Sequence, residues 1–134
     1  MRNVLAVVLG LLVAGLVMTG LESLGHAIYP PPAWLSADDP KSIERYLQDA
    51  PFLAVALILV GWAAASFLGG AAAARVAVGR RTGRYGLFIG VFMLVGAAGT
   101  MWMIPHPTWF MLIAPFACLI PGMIGGAMGC QRRR

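Results

Sequence analysis

Glu22 and His26 stand four residues apart near the end of the first apolar run of this 134-residue chain. On a helix, that spacing puts a carboxylate and an imidazole on one face. An ionisable pair inside a lipid-spanning segment is costly enough to mark a functional site by default. His106 occupies a related local setting far downstream. The stretch P-H-P-T-W-F at Pro105 to Phe110 repeats the pattern of P-P-P-A-W-L at Pro30 to Leu35, each directly after an apolar run. If the two corners lie at one membrane depth, Glu22, His26 and His106 converge. Two imidazoles and a carboxylate form a donor set suited to Zn, Fe or Mn. They are also what a general acid/base pair requires, with the carboxylate orienting a histidine whose ordinary pKa lies near neutrality. Neither chemistry is specified: there is no H-E-x-x-H, no second acid, no nucleophilic Ser or Cys beside the histidines and no Gly-rich phosphate loop. The sequence therefore names no catalytic residue and no cofactor. The plainer alternative is that the Glu22-His26 pair satisfies itself and a nearby carbonyl at a helix end and does nothing else.

The elements that must position these residues follow from composition. The chain is 60% hydrophobic and 11% charged, with a mean hydropathy of +0.81, whereas about a quarter of a soluble domain's residues are charged. This is the composition of a membrane protein. A net charge of +5 would ordinarily raise nucleic acid as a partner. Here the arginines sit in loops and at the C-terminus of an oily chain, so the charge is a topology signal and nucleic acid is excluded. Cys118 and Cys130 have no C-x-x-C spacing and no neighbouring histidine, and read as two free thiols.

The fold class expected is all-α: a single polytopic unit over 1–134 with four transmembrane helices at about 3–28, 51–74, 85–104 and 109–129, arranged as two hairpins. The first run is too long for a cleavable signal core and has no small-x-small site clear of it, so it reads as an uncleaved helix. Pro30, Pro31 and Pro32 stop that helix by removing three backbone donors. Tyr29, Trp34 and Trp109 have amphipathic rings suited to the headgroup level. In the polar segment that follows, Asp39 before Pro40 is a good helix start. Ile43, Tyr46 and Leu47 then fall at i, i+3, i+4, predicting a short amphipathic helix on the membrane surface. In the second span, Gly61, Ala65, Gly69 and Ala73 recur every four residues and predict close helix packing, within the chain, in a homo-oligomer or against another membrane protein. Pro115 and Pro121 should kink the last span.

Arg2, Arg75, Arg80, Arg81, Arg84 and Arg132 to Arg134 occupy segments without one acid, whereas Lys41 and Arg45 mix with Asp38, Asp39, Glu44 and Asp49. That bias predicts both termini in the cytoplasm and the Glu22, His26 and His106 end outside. The returning spans also echo each other, F-L-G-G-A-A-A-A-R at Phe67 to Arg75 against M-I-G-G-A-M-G-C-Q at Met123 to Gln131. The two hairpins thus read either as a parallel duplication or as a chance echo between apolar segments.

The combination E-x-x-x-H-x-x-Y-P-P-P in the first hairpin and P-H-P-x-W-F in the second resembles a family of small bacterial inner-membrane proteins with four predicted spans. The resemblance covers essentially the whole chain and implies a topology and a bacterial inner membrane; it brings no activity, cofactor or catalytic residue. The function classes that stay open are a structural or accessory membrane protein, a protein binding a lipid headgroup or small ligand at an outward-facing site, and a membrane-embedded metal-binding protein or metalloenzyme. A conducting pathway is disfavoured, because the inner halves of the spans offer almost no polar residues.

Overall fold

In a computed structural model, which describes residues 1–36, 38–78, 82–104 and 106–131, the chain forms five helices: α1 (Arg2–Ile28), α2 (Pro40–Asp49), α3 (Phe52–Val76), α4 (Arg84–Met103) and α5 (Thr108–Gln131). All except α2 are long and apolar enough to cross a membrane. At about 1.5 Å per residue, the 20 residues of α4 reach ~30 Å, the thickness of a hydrocarbon core. Side chains such as Leu12, Leu16, Phe92, Val95, Leu112 and Phe116 are exposed along their flanks. In water this would be a continuous sticky surface, whereas against lipid it carries no penalty.

Burial inside the bundle falls on small residues. In α1 only Ala6, Gly10 and Ala14 are buried, one per turn on a single stripe. That stripe lies on α3, where a Cβ on Gly10 would stand 2.8 Å from Ala73 Cβ and 2.9 Å from the Gly69 carbonyl oxygen. Gly61, Ala65, Gly69 and Ala73 are all buried on α3, and Gly61 faces Met18 and Leu21 of α1. Asn3 Oδ1 accepts a 2.9 Å hydrogen bond from the Val78 N–H, tying the start of α1 to the end of α3.

α3 is the hub, packing against α1, α4 and α5, while α4 also packs along α5. The α4–α5 seam is glycine on glycine. Cβ positions on Gly86 would run into Gly122 and Gly126, and one on Gly90 would stand 2.9 Å from the Cys118 carbonyl oxygen. The α3–α5 seam is equally close, with Gly70 against Gly122 and Phe67 against Gly125. α1 has no such seam with α5 and touches α4 only along one edge. α1 and α4 therefore do not occupy equivalent places around α3 and α5. α5 runs through Pro115 and Pro121 as one helix.

α2 starts as its sequence requires. The Asp39 carboxylate accepts from the Lys41 N–H at 3.1 Å, and Pro40 fills a first-turn position with no donor to satisfy. The loop before it is pinned by Ser42, whose hydroxyl donates to the Ser36 carbonyl oxygen at 2.8 Å and accepts from the Ser36 N–H at 3.1 Å. Its apolar face is turned onto the bundle. Leu47 is 6% exposed and joins Val55, Leu59, Trp62, Ala97 and Phe110 in the core. α2 therefore plugs the end of the bundle where α1 and α4 finish and α3 and α5 begin.

Candidate functional site

Because α1 and α4 meet only along one edge, they leave a cleft between them at the plugged end. Its floor is Ile58 and Trp62 of α3, its walls are Met18, Glu22 and His26 of α1 and Thr100 and Ile104 of α4, and its roof is Pro31, Pro32, Ile43, Tyr46 and Leu47. His106 completes the rim. The space is about 450 Å³, within the range of a small-molecule site. A smaller cavity of about 100 Å³ continues between α1 and α3, and shares Met18, Glu22, His26, Tyr46, Leu47 and Ile58 with the cleft while adding Tyr29.

Glu22, His26 and His106 are thus brought to one cleft, but not into one coordination sphere. Among the described residues, no group of three His, Cys, Asp or Glu side chains is placed to hold a metal ion. The expected Glu22–His26 pairing is also not made. Both side chains are exposed, and neither has a hydrogen bond or ion pair among the described residues. Glu22 sits six residues before the end of α1, about 9 Å along the helix axis, and from Val4 to Ile28 every other side chain of that helix except His26 is apolar or small.

His106 is held more firmly. Its Nδ1 lies 2.7 Å from the Ile104 carbonyl oxygen, and its ring stacks on Phe110 with centroids 4.8 Å apart. A carbonyl only accepts, so Nδ1 carries the proton and Nε2 of the neutral ring is left as an acceptor. Pro105, the other half of the expected corner, lies outside the described residues. Thr100 is fixed in a similar way: its hydroxyl donates to the Ala97 carbonyl oxygen at 2.8 Å, leaving its lone pairs free.

The expected interfacial aromatics cluster at this end. Tyr29 is the residue after α1 and lines the smaller cavity. Trp109 packs on Phe52 at a centroid distance of 4.8 Å. Trp34 lies beneath the Arg45 guanidinium, 5.1 Å from its ring centroid, and Arg45 also reaches Asp49 at 3.8 Å. Cys118 is buried and Cys130 half-buried, both as free thiols.

The sequence reading missed Thr100, Tyr46 and Trp62 as lining residues. Thr100 was the most accessible to reasoning: it is a hydroxyl residue in the third span, one turn from the His106 corner. Ser66 was also missed. It is fully buried in α3 and its hydroxyl has no hydrogen-bond partner among the described residues.

Compared with family models, curated proteins and solved structures, the chain matches none of them.

Proposed function

We propose that this chain is a multi-pass protein of the bacterial inner membrane, with both termini in the cytoplasm, and that its outward end binds the headgroup of a lipid or a comparable small amphipathic ligand. Its role is accessory rather than catalytic. The observation that carries this reading is the cleft itself, in which three ionisable side chains from distant segments line one space with apolar walls. Glu22 and His26 have no hydrogen-bond partner among the described residues to orient either as a catalytic base, and of the three His106 alone is held in place. A binding site needs only convergent polar groups and apolar contact area.

The orientation rests on charge. Arg2, Arg75 and Arg84 are exposed at the end of the bundle opposite the cleft, and cytoplasmic ends are enriched in arginine and lysine. A reporter active only in the periplasm, fused to the C-terminus, is expected to stay silent. The resemblance to small four-span bacterial proteins agrees with this placement.

The binding reading is tested by native mass spectrometry of protein extracted gently from membranes. A retained lipid or small molecule is expected, and Thr100→Trp, which fills the cleft from its open side, should abolish retention without unfolding the bundle. Equal retention by the variant would place the bound molecules on the outer flanks and end the proposal.

A further inference from the structure

Three of the five polar side chains that line the cleft, Glu22, Thr100 and His106, share a property that narrows the ligand, while His26 and the Tyr46 hydroxyl can also donate. Glu22 is a carboxylate and only accepts hydrogen bonds at neutral pH. Thr100 has spent its hydrogen on the Ala97 carbonyl oxygen, and His106 has spent its Nδ1–H on the Ile104 carbonyl oxygen. What these three residues offer a ligand is therefore lone pairs. The formal charge of the lining is also one-sided. Among the described residues Glu22 is its only carboxylate, and no lysine or arginine lines either cavity. The Arg45 guanidinium on α2 is engaged over Trp34 and with Asp49.

Building on the reading of the cleft as a binding site, we propose that its ligand is a cationic amphiphile: an organic ammonium group on an apolar chain, with Glu22 as its counter-charge. An ammonium brings N–H donors to a set of acceptors and a positive charge to an unpaired carboxylate. Against Glu22, Thr100 and His106 a phosphate or carboxylate group would bring acceptors to acceptors, and it would set a second negative charge beside Glu22. Tyr46 and Trp62 also line the space, and aromatic rings favour cations over neutral groups, while the apolar walls suit the attached chain. The same inference accounts for Glu22 itself. A carboxylate about a turn and a half inside an apolar helix requires compensation, the described residues provide none, and an ammonium from outside does. The ammonium source is either a free lipophilic amine or the ammonium end of a zwitterionic ethanolamine headgroup, whose phosphate must then lie away from Glu22.

The test uses the full chain, stripped of lipid, in dodecyl maltoside micelles, which are uncharged. Equilibrium dialysis compares decylamine, decyl phosphate and decanol, with protein-free micelles as the blank. Saturable binding of decylamine is expected, at least tenfold tighter than the other two. Glu22→Gln should weaken it at least tenfold, and Thr100→Val, which keeps shape but removes an acceptor, a few-fold. The second variant keeps the proposal testable if the first does not fold. Adding phosphatidylethanolamine identifies the source: displacement of decylamine points to the lipid, and no displacement to a free amine. Equal binding of decyl phosphate, or full decylamine affinity in both variants, overturns the cation assignment and leaves the cleft reading standing. Saturable binding by none of the three amphiphiles overturns the cleft reading itself, and this inference with it.

Discussion

The carbonyl oxygen of Gly10 lies 2.7 Å from where a Cβ on Gly69 would stand, with Ala14 Cβ at 2.9 Å from the same point. Neither of these two can rotate out of the way, since one is backbone and the other a methyl fixed to it; only Ile89 Cγ2, at 3.2 Å, belongs to a side chain that can turn. Gly69→Ala should therefore push α1 off α3 and cost about 1–3 kcal/mol, the usual range for overpacking. Gly20 faces open space, so Gly20→Ala should be neutral or slightly stabilising, by at most ~1 kcal/mol from helix propensity. Thermal unfolding in detergent, followed by circular dichroism, distinguishes the two; equal melting temperatures would mean that α1 does not pack through this stripe.

The α4–α5 seam predicts a coupling. A Cβ on Gly126 would stand 2.8 Å from the Gly86 Cα, and one on Gly86 would run into Gly122 and Gly126. Gly86→Ala and Gly126→Ala each force the same two helices apart. Once they are apart, the second substitution meets less resistance. The double variant should accordingly lose less stability than the two single losses combined, by about 0.5–3 kcal/mol. Strict additivity in a double-mutant cycle would show that the two glycines do not share one contact.

How far the sequence could be read depended on the kind of signal. Hydropathy marks where a helix enters and leaves lipid, and the four long helices begin and end within one or two residues of the expected spans. The Asp39-Pro40 start of α2 was equally plain, because capping is local chemistry. Which face of a span meets which neighbour was not readable, since in lipid both faces are apolar and the amphipathic signal of a soluble helix vanishes. The Gly61-to-Ala73 stripe was visible because its residues are small at a fixed spacing. Its partner Gly10, and the tighter contacts of Gly70, Gly86 and Gly122, needed the packed structure. At the site, the shared corners of His26 and His106 pointed to one end of the molecule. The cleft was not foreseeable, because it arises from the splay of α1 and α4, a relation between two helices far apart in sequence.

Ser66 yields a prediction of opposite sign to the glycines. Its hydroxyl is buried in α3 with no hydrogen-bond partner among the described residues, and an unsatisfied polar group costs about 1–3 kcal/mol. Ser66→Ala removes that group while keeping nearly the same volume, so it should leave stability unchanged or raise it by about 1 kcal/mol after the small packing loss. A clear drop in melting temperature would show that the hydroxyl is bonded in the folded protein.

Leu47 decides whether α2 is a plug or merely rests on the bundle. It is the one fully buried residue of α2 and packs with Val55, Trp62 and Phe110, whereas Lys41, Arg45, Gln48 and Asp49 on the same helix are exposed. A ten-residue helix is too short to persist alone in water, so its order depends on that contact. Removing a buried leucine side chain typically costs about 2–5 kcal/mol. Here the loss should fall on α2, because the four long helices keep their own seams. Leu47→Ala is thus expected to abolish amide hydrogen-exchange protection across 40–49 while leaving that of α3 and α5 intact. The same variant should weaken any cleft ligand, since Leu47 and Tyr46 form part of the roof. Retained protection across α2 would mean that Asp39 capping and Ser42 anchoring suffice to hold it. Loss of protection throughout the chain would instead make α2 part of the cooperative core.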